Sequence, residues 1–221
     1  MEERIYQIAI DGPSGAGKST IAKKVAAILN IDYIDTGAMY RAIGYQISRE
    51  GVDMDDASAL SSMLSETDVD LHEGKVLLNG EDVSDRIRTP EMSRMASACS
   101  ALPAVRQKLV ELQRAMARSK SVIMDGRDIG TNVLTDARYK IYLTASAEER
   151  ARRRCLELSE RGTPEPYEAV LREINERDEQ DMHRAIAPLR EAADAIRLDT
   201  SALNFDESEQ ALLKLIQEKL Q

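Results

Sequence analysis

Residues 5–29 read IYQIAIDGPSGAGKSTIAKKVAAIL, and the order of residue types in that stretch decides the fold. Ile5 to Ile10 is a short apolar run with β-branched residues, the pattern of a buried strand. It runs into Gly12-Pro-Ser-Gly-Ala-Gly17, a turn-forming stretch. From Lys18 to Leu29, the residues Ile21, Ala22, Val25, Ala26 and Leu29 recur at helical spacing. The reading is strand, glycine turn, helix. Inside it, Gly12 to Ser19 satisfies G-x-x-x-x-G-K-[ST] in the strand-to-helix context that gives this pattern its meaning. Glycines let the backbone curl so that several N–H groups point inward at phosphate oxygens, and the following helix adds its positive N-terminus. Gly12, Pro13, Ser14, Gly15, Ala16, Gly17, Lys18, Ser19 and Thr20 are therefore the candidate cradle for ATP. Lys18 can reach the β- and γ-phosphates, the Ser19 hydroxyl can bind Mg²⁺, and Thr20 can donate to an α-phosphate oxygen. The loop does not say whether the phosphoryl group goes to water, a protein or a small molecule.

Outward from this core the chain alternates strands and helices. Ile31 to Ile34 reads as a strand, followed by a helix from about Ala38 that Gly51 stops, and by a helix over Ala57 to Leu64. Between Val69 and Arg88 the pattern changes to short alternating runs punctuated by Glu73-Gly74 and Asn79-Gly80, hairpin-type turn signals, so a small antiparallel insert is expected. Pro103 suits the first turn of a helix running to about Arg118. Val122 to Met124 and Tyr139 to Leu143 are further strands. Ser146 and Glu149 have capping-box spacing and open an arginine-rich helix that ends near Gly162. A polar helix follows from about Tyr167 to Arg184, then a strand at Ile196 to Leu198. Asp206 with Glu209 is expected to cap a terminal helix buried along Leu212, Leu215, Ile216 and Lys219. Such alternation implies a parallel sheet covered by helices on both faces.

Composition bounds the function. Of 221 residues, 43% are apolar and 31% charged, a soluble globular balance. No apolar run approaches the roughly 20 residues that span a bilayer, and Met1 to Tyr6 lacks a signal core, so no membrane association and a cytoplasmic location are expected. Cys99 and Cys155 lie far apart without metal-ligand spacing and read as reduced thiols. A formal net charge of −9 argues against a broad electrostatic grip on nucleic acid. Arginines instead crowd Arg150 to Arg161 and Arg172 to Arg190, which suits small phosphorylated ligands.

The acceptor must be read elsewhere. Asp35-Thr-Gly-Ala-Met-Tyr-Arg41 follows the second strand and Asp125-Gly-Arg-Asp128 ends another, so both should open at the carboxyl edge of the sheet beside the phosphate loop. Arg41 and Arg127 are cations available to a second phosphate, and Asp125 could hold a water on Mg²⁺ beside Ser19. Each segment alone is a weak signal. Together, IAIDGPSGAGKST, YIDTGAMYR, DGRDIGT and ERDEQDMHRAIAPL resemble bacterial cytidylate kinases, in order and over nearly the whole chain.

That resemblance implies a P-loop α/β/α fold of three layers with a five-stranded parallel central sheet. It divides the chain into a core (1–65, 97–148 and 171–221), a monophosphate-binding insert (66–96) and a helical lid (149–170). It implies ATP and Mg²⁺ as cofactors and CMP and dCMP as acceptors; nothing in the sequence demands more than a monomer, so a monomer is expected. Carried over position by position, Thr36, Arg41, Arg127 and Arg177 look like phosphate or sugar contacts. Asp181 looks like a ribose contact and Arg184 a neighbour of the phosphate or base, while Ser97, Arg106 and Asp128 look like the cytosine readers. Cytosine offers an amine donor beside ring acceptors, which suits an aspartate paired with an arginine. Lys18, Arg127, Arg150, Arg153 and Arg154, with Arg161 nearby, are expected to balance charge on the transferring phosphoryl group. Two competing readings are a kinase for another small acceptor, such as a different monophosphate or shikimate, and a GTPase-type switch. For the switch, no N-K-x-D guanine-reading motif occurs.

Overall fold

The computed structural model describes residues 5–72 and 74–220. Residues 1–4 of the N-terminal stretch read above and the Glu73 half of the first turn signal lie outside the described residues, as does the side chain of Lys219. The chain divides into two compact units, one made of residues 1–33 and 120–221 and the other of residues 34–119.

The first unit is built on parallel strands: β1 (Gln7–Asp11) is followed by α1 (Lys18–Leu29), and β2 (Asp32–Asp35) runs to the unit boundary. In the second unit lie α2 (Thr36–Glu50), α3 (Ala57–Glu66), β3 (Val69–His72), β4 (Lys75–Leu78), β5 (Glu81–Asp82), α4 (Pro90–Cys99) and α5 (Pro103–Arg118). The chain then returns through β6 (Val122–Gly126), β7 (Tyr139–Thr144), α6 (Ala147–Glu160), α7 (Tyr167–His183), β8 (Ile196–Asp199) and α8 (Phe205–Leu220). The five-stranded sheet has the order β2-β6-β1-β7-β8. β1 pairs in parallel with both β6 and β7, and β7 with β8. On one face of the sheet, α1 and α8 pack Ile21, Val25, Leu212 and Ile216 onto Ile8, Ile10, Ile123 and Ile141. Each such fully buried aliphatic side chain stabilises by roughly 1.5–3 kcal/mol.

The register positions the chemistry. Asp11, the last residue of β1, lies opposite Gly126 of β6 and Tyr142 of β7. The phosphate loop and the segment 125–128 therefore leave adjacent strands at one edge of one sheet. At Gly12 a Cβ would come within 1.9 Å of the Leu143 carbonyl oxygen, so no side chain fits where the loop starts.

In the second unit, β3 pairs antiparallel with β4, and β4 with β5. Asn79 and Gly80 both have positive φ, 51° and 80°, the geometry for which an Asn-Gly hairpin is selected. The expected antiparallel insert is present, with β5 as a strand the sequence reading did not resolve.

Five local readings are corrected. α2 starts at Thr36 and not Ala38, because Asp35 caps it by accepting from the Ala38 N–H at 2.7 Å. α4 was not foreseen: Thr89 accepts from the Met92 N–H at 3.1 Å and Pro90 occupies the first turn. α8 is capped by Asn204 and Glu207, not Asp206 and Glu209, through reciprocal bonds of 2.9 and 2.8 Å. α7 ends at His183 and not Arg184, which is extended (ψ 142°) beyond the last turn. Of the capping box at Ser146, one half forms, Glu149 N–H to Ser146 Oγ at 3.2 Å; the Glu149 carboxylate pairs with Arg152 and Arg153.

Candidate active site

The phosphate loop passes into α1 through Gly17, whose φ of 88° is left-handed and makes no side-chain cap. The amides at this helix start therefore have no side-chain partner from their cap. Lys18 is buried, and its Nζ donates to the Pro13 carbonyl at 2.7 Å across the loop. Burial pushes its pKa down to about 7; the Arg127 cation acts in the same direction, while Asp125, Asp181 and Asp11 oppose it. A buried ammonium held this way gains most from a polyanion.

Ser19 Oγ donates to Asp125 Oδ2 at 2.8 Å, and Tyr33 donates to Asp125 Oδ1 at 2.8 Å. A hydroxyl at the helix start beside a carboxylate is the oxygen donor set that suits Mg²⁺, which keeps several waters and takes one or two protein ligands. Those residues fit the ion. No group of three or more potential metal-ligating side chains occurs among the described residues.

Beyond Asp125 the chain carries Arg127 and Asp128 into charge pairs with α7 and its exit. Arg127 Nε donates to Asp181 Oδ2 at 2.7 Å, and Arg184 Nη2 to Asp128 Oδ1 at 3.3 Å. Asn132 Nδ2 donates to the other Asp128 oxygen at 3.0 Å. Burial alone would raise the Asp181 carboxyl, but Arg127, Arg177 and Arg184 together hold it below the usual carboxylate range. The first unit thus brings Arg127, Asp128, Arg177, Asp181 and Arg184 into one arginine-carboxylate array, with Lys18 close enough to feel two of its members.

The arginines of α6 are placed differently from one another. Arg150 is buried, donating to the Ala145 carbonyl at 2.9 Å, the Ser14 carbonyl of the phosphate loop at 3.0 Å and both Asp178 oxygens at 3.0 and 2.5 Å. Arg153 donates to the carbonyls of Thr200 and Leu203 at 2.7 and 3.2 Å. Arg154 and Arg161 pair with Glu157 at 2.8 and 2.6 Å.

The second unit holds Thr36, Arg41, Ser97 and Arg106. Thr36 is buried at the start of α2, and Arg41 Nη2 reaches back to Asp35 Oδ2 at 3.2 Å. Arg41 Nε is buried with no hydrogen-bond partner among the described residues. Arg106, also buried, lies 5.9 Å over the Tyr40 ring and donates to the Ser100 carbonyl at 3.4 Å. Ser97 is half-buried on α4, where its carbonyl accepts from Ser100 Oγ at 2.8 Å.

Sequence reasoning missed Asp11, Tyr33, Tyr40 and Asp178. Asp11 had a usable signal, a carboxylate between an apolar strand and a glycine loop. The others had none, because their partners lie far away in sequence.

Comparison with known proteins bears on this constellation. The family model described as cytidylate kinase matches residues 8–218. The chain is 51% identical over 201 residues to a cytidylate kinase of Caldanaerobacter subterraneus subsp. tengcongensis, covering 91% of this chain and 90% of the relative. It is 47% identical over 224 residues to one of Geobacillus kaustophilus, with 100% of both chains covered. Among solved structures, an uncharacterized protein from Eubacterium ventriosum aligns at TM-score 0.53 with 14% identity over 97% of this chain and 99% of that one. A putative kinase from Chloroflexus aurantiacus aligns at 0.50 with 18% identity, covering 100% and 98%. The last two bear on the fold alone.

Proposed function

The chain belongs to the cytidylate kinase family, and from that premise we propose that it moves the terminal phosphoryl group of ATP onto CMP or dCMP, giving ADP and CDP or dCDP. The observation that carries the donor half is the buried Lys18 across a loop whose helix start lacks a side-chain cap, an arrangement completed by a triphosphate.

Transfer is direct and in line, with no phosphoenzyme, so the protein's task is positioning and charge balance. Lys18 and the loop amides orient the β- and γ-phosphates, and Thr20 donates to the α-phosphate. Mg²⁺, held by Ser19 with Asp125 through water, would neutralise charge on the polyphosphate. Arg127 and Arg177 meet the phosphate and sugar of the acceptor, Asp181 its ribose, and Asp128 the cytosine amine. Thr36 and Arg41 contact the acceptor phosphate; Ser97 and Arg106 complete base reading. Residues 66–96 serve as the monophosphate-binding insert and 149–170 as the lid. Arg150, Arg153 and Arg154 supply charge late in closure, which also excludes water. We further propose a cytoplasmic, monomeric enzyme; no helix among the described residues is long and apolar enough to cross a membrane.

Base choice follows from acceptors and donors. Uracil would turn a carbonyl oxygen toward Asp128, and two facing acceptors cost on the order of 1–3 kcal/mol. A coupled ADP-release assay with CMP, dCMP, UMP, AMP and shikimate tests the reading. CMP and dCMP should give the highest kcat/KM. Better use of UMP, AMP or shikimate, or full ADP release with no acceptor, overturns it.

A further inference from the structure

Asp178 lies on α7 between Arg177 and Asp181, and the reaction above gives it no task. Its carboxylate is taken up by Arg150: Nη1 donates to Oδ1 at 3.0 Å and Nη2 to Oδ2 at 2.5 Å, the fork geometry of a guanidinium on a carboxylate. Arg150 spends its other bonds on main-chain oxygens, Nε on the Ala145 carbonyl at 2.9 Å and Nη1 on the Ser14 carbonyl at 3.0 Å. A guanidinium offers five N–H groups, so these bonds leave a single one, on Nη2. Both side chains are largely buried. The cation is thus fixed where α6, α7 and the phosphate loop meet.

The bond to Ser14 decides how one loop peptide is turned. The Ser14–Gly15 peptide is trans, and in a planar trans peptide the C=O and the following N–H point in opposite directions. With the Ser14 oxygen on Arg150, the Gly15 N–H faces away from Arg150. The arginine stem lies against the same peptide: a Cβ on Gly15 would sit 3.5 Å from Arg150 Cβ and 3.9 Å from its Cγ and Cδ. Gly15 itself is exposed, with a φ of 75° that glycine adopts without strain. A glycine has little of its own to hold one orientation, so the bond that fixes this peptide comes from outside the loop.

We infer that Asp178 is a positioning residue for the phosphate donor: by holding Arg150 on the Ser14 carbonyl, it turns the Gly15 N–H toward the triphosphate. This role rests on the reading of residues 12–20 as the cradle for ATP. It gives ATP binding to a carboxylate that would repel the triphosphate if it met it directly. The remaining Nη2 N–H of Arg150 is the one left for the late charge proposed above.

The test measures Kd for a non-hydrolysable ATP analogue and for CMP, together with the NMR shift of the Gly15 amide proton. In the wild type that proton should move downfield as the analogue binds, because it then donates to a phosphate oxygen. Asp178→Asn loses the charge and one of the two acceptors facing Arg150, so Arg150 is released from Ser14. The analogue Kd should rise by about tenfold, the loss expected for one hydrogen bond to a charged group, with CMP affinity unchanged within about twofold and the Gly15 shift largely gone. Arg150→Met with Asp178→Leu replaces the pair by apolar groups of similar size, so Tm should stay near wild type while the Gly15 shift is lost; this variant decides the matter if Asp178→Asn does not fold. A merely structural Asp178 would lower Tm, weaken both ligands alike and leave the shift in place, which overturns the role. A stable double variant that binds the analogue as the wild type does overturns it too, as does binding by the wild type with no movement of the Gly15 proton. If the wild type does not bind the analogue at all, the cradle reading fails and takes this role with it. If it binds and moves the proton and both variants do the same, the cradle stands and the role of Asp178 falls.

Discussion

At the scale of the residue, the titration of Lys18 is the property most open to measurement. Its pKa in the folded chain lies near 7 against an ordinary 10.5, with burial the chief cause and Arg127 the second. Between those values the unfolded chain keeps a proton that the folded one releases, so this group makes the empty protein more stable as pH rises through that window. A bound triphosphate reverses the balance, because phosphate oxygens favour the ammonium form. ATP binding at about pH 8 should therefore take up close to one proton, and the uptake should vanish at about pH 6, where Lys18 is already charged. Calorimetric titration in buffers of different ionisation enthalpy reads this directly, and Lys18→Met should abolish it. The same variant should lower kcat by about 10²–10³, the usual loss for one preorganised donor. Asp11 behaves oppositely: burial lifts its carboxyl to about 6 despite the Gly130 and Ile129 N–H bonds. Its contribution to stability therefore falls as pH rises between about 4 and 6.

At the scale of the element, Arg150 and Asp178 join α6 to α7, and Arg150 also holds the Ser14 carbonyl of the phosphate loop. Both side chains are largely buried, so removing one charge strands the other. Asp178→Asn should destabilise by about 3–5 kcal/mol, whereas Arg150→Met with Asp178→Leu should come near neutral, since a buried ion pair replaced by apolar groups of similar size loses little. Chemical denaturation of the three proteins decides it; equal losses in the single and double variants would show that Asp178 contributes through something other than charge pairing. This pair also marks where sequence stops being informative. The strand, glycine loop and α1 were legible because periodicity and motif are local, and Asn79-Gly80 announced its hairpin for the same reason. Arg177 and Asp181, four residues apart on α7, share a face by helical spacing. Asp178, between them, could not be matched with Arg150, because partners 28 residues apart are chosen by how α6 and α7 pack. α4 was passed over although Thr89 and Pro90 carry the same start signals used for other helices, since PEMSRMASAC offers only Met92, Ala96 and Cys99 as a buried stripe. The terminal cap went to Asn204 and Glu207 rather than Asp206 and Glu209 because two pairs with identical spacing compete there, and spacing cannot rank them.

At the scale of the whole molecule, the division into two units makes a prediction that each ligand can test separately. The donor residues Gly12 to Thr20 and the array around Arg127 and Asp181 belong to the first unit, while Thr36, Arg41, Ser97 and Arg106 belong to the second. A ligand that binds only the folded form stabilises by RT ln(1 + [L]/Kd), about 2.7 kcal/mol at a hundredfold excess over Kd. Local protection reports where that free energy is felt. A non-hydrolysable ATP analogue alone should slow amide exchange at residues 12–20 and in the first turns of α1, leaving α2 and α5 near their unliganded rates. CMP alone should slow exchange at residues 36–41 and 97–106, and also at 127–130, the residues to which its contacts are assigned. The second unit has its own reason to respond: Arg41 Nε is buried with no hydrogen-bond partner among the described residues, and an anionic nucleotide would supply one. If CMP protects 127–130 but leaves 36–41 and 97–106 unchanged, acceptor binding belongs to the first unit alone, and the roles assigned to Thr36, Arg41, Ser97 and Arg106 fall together.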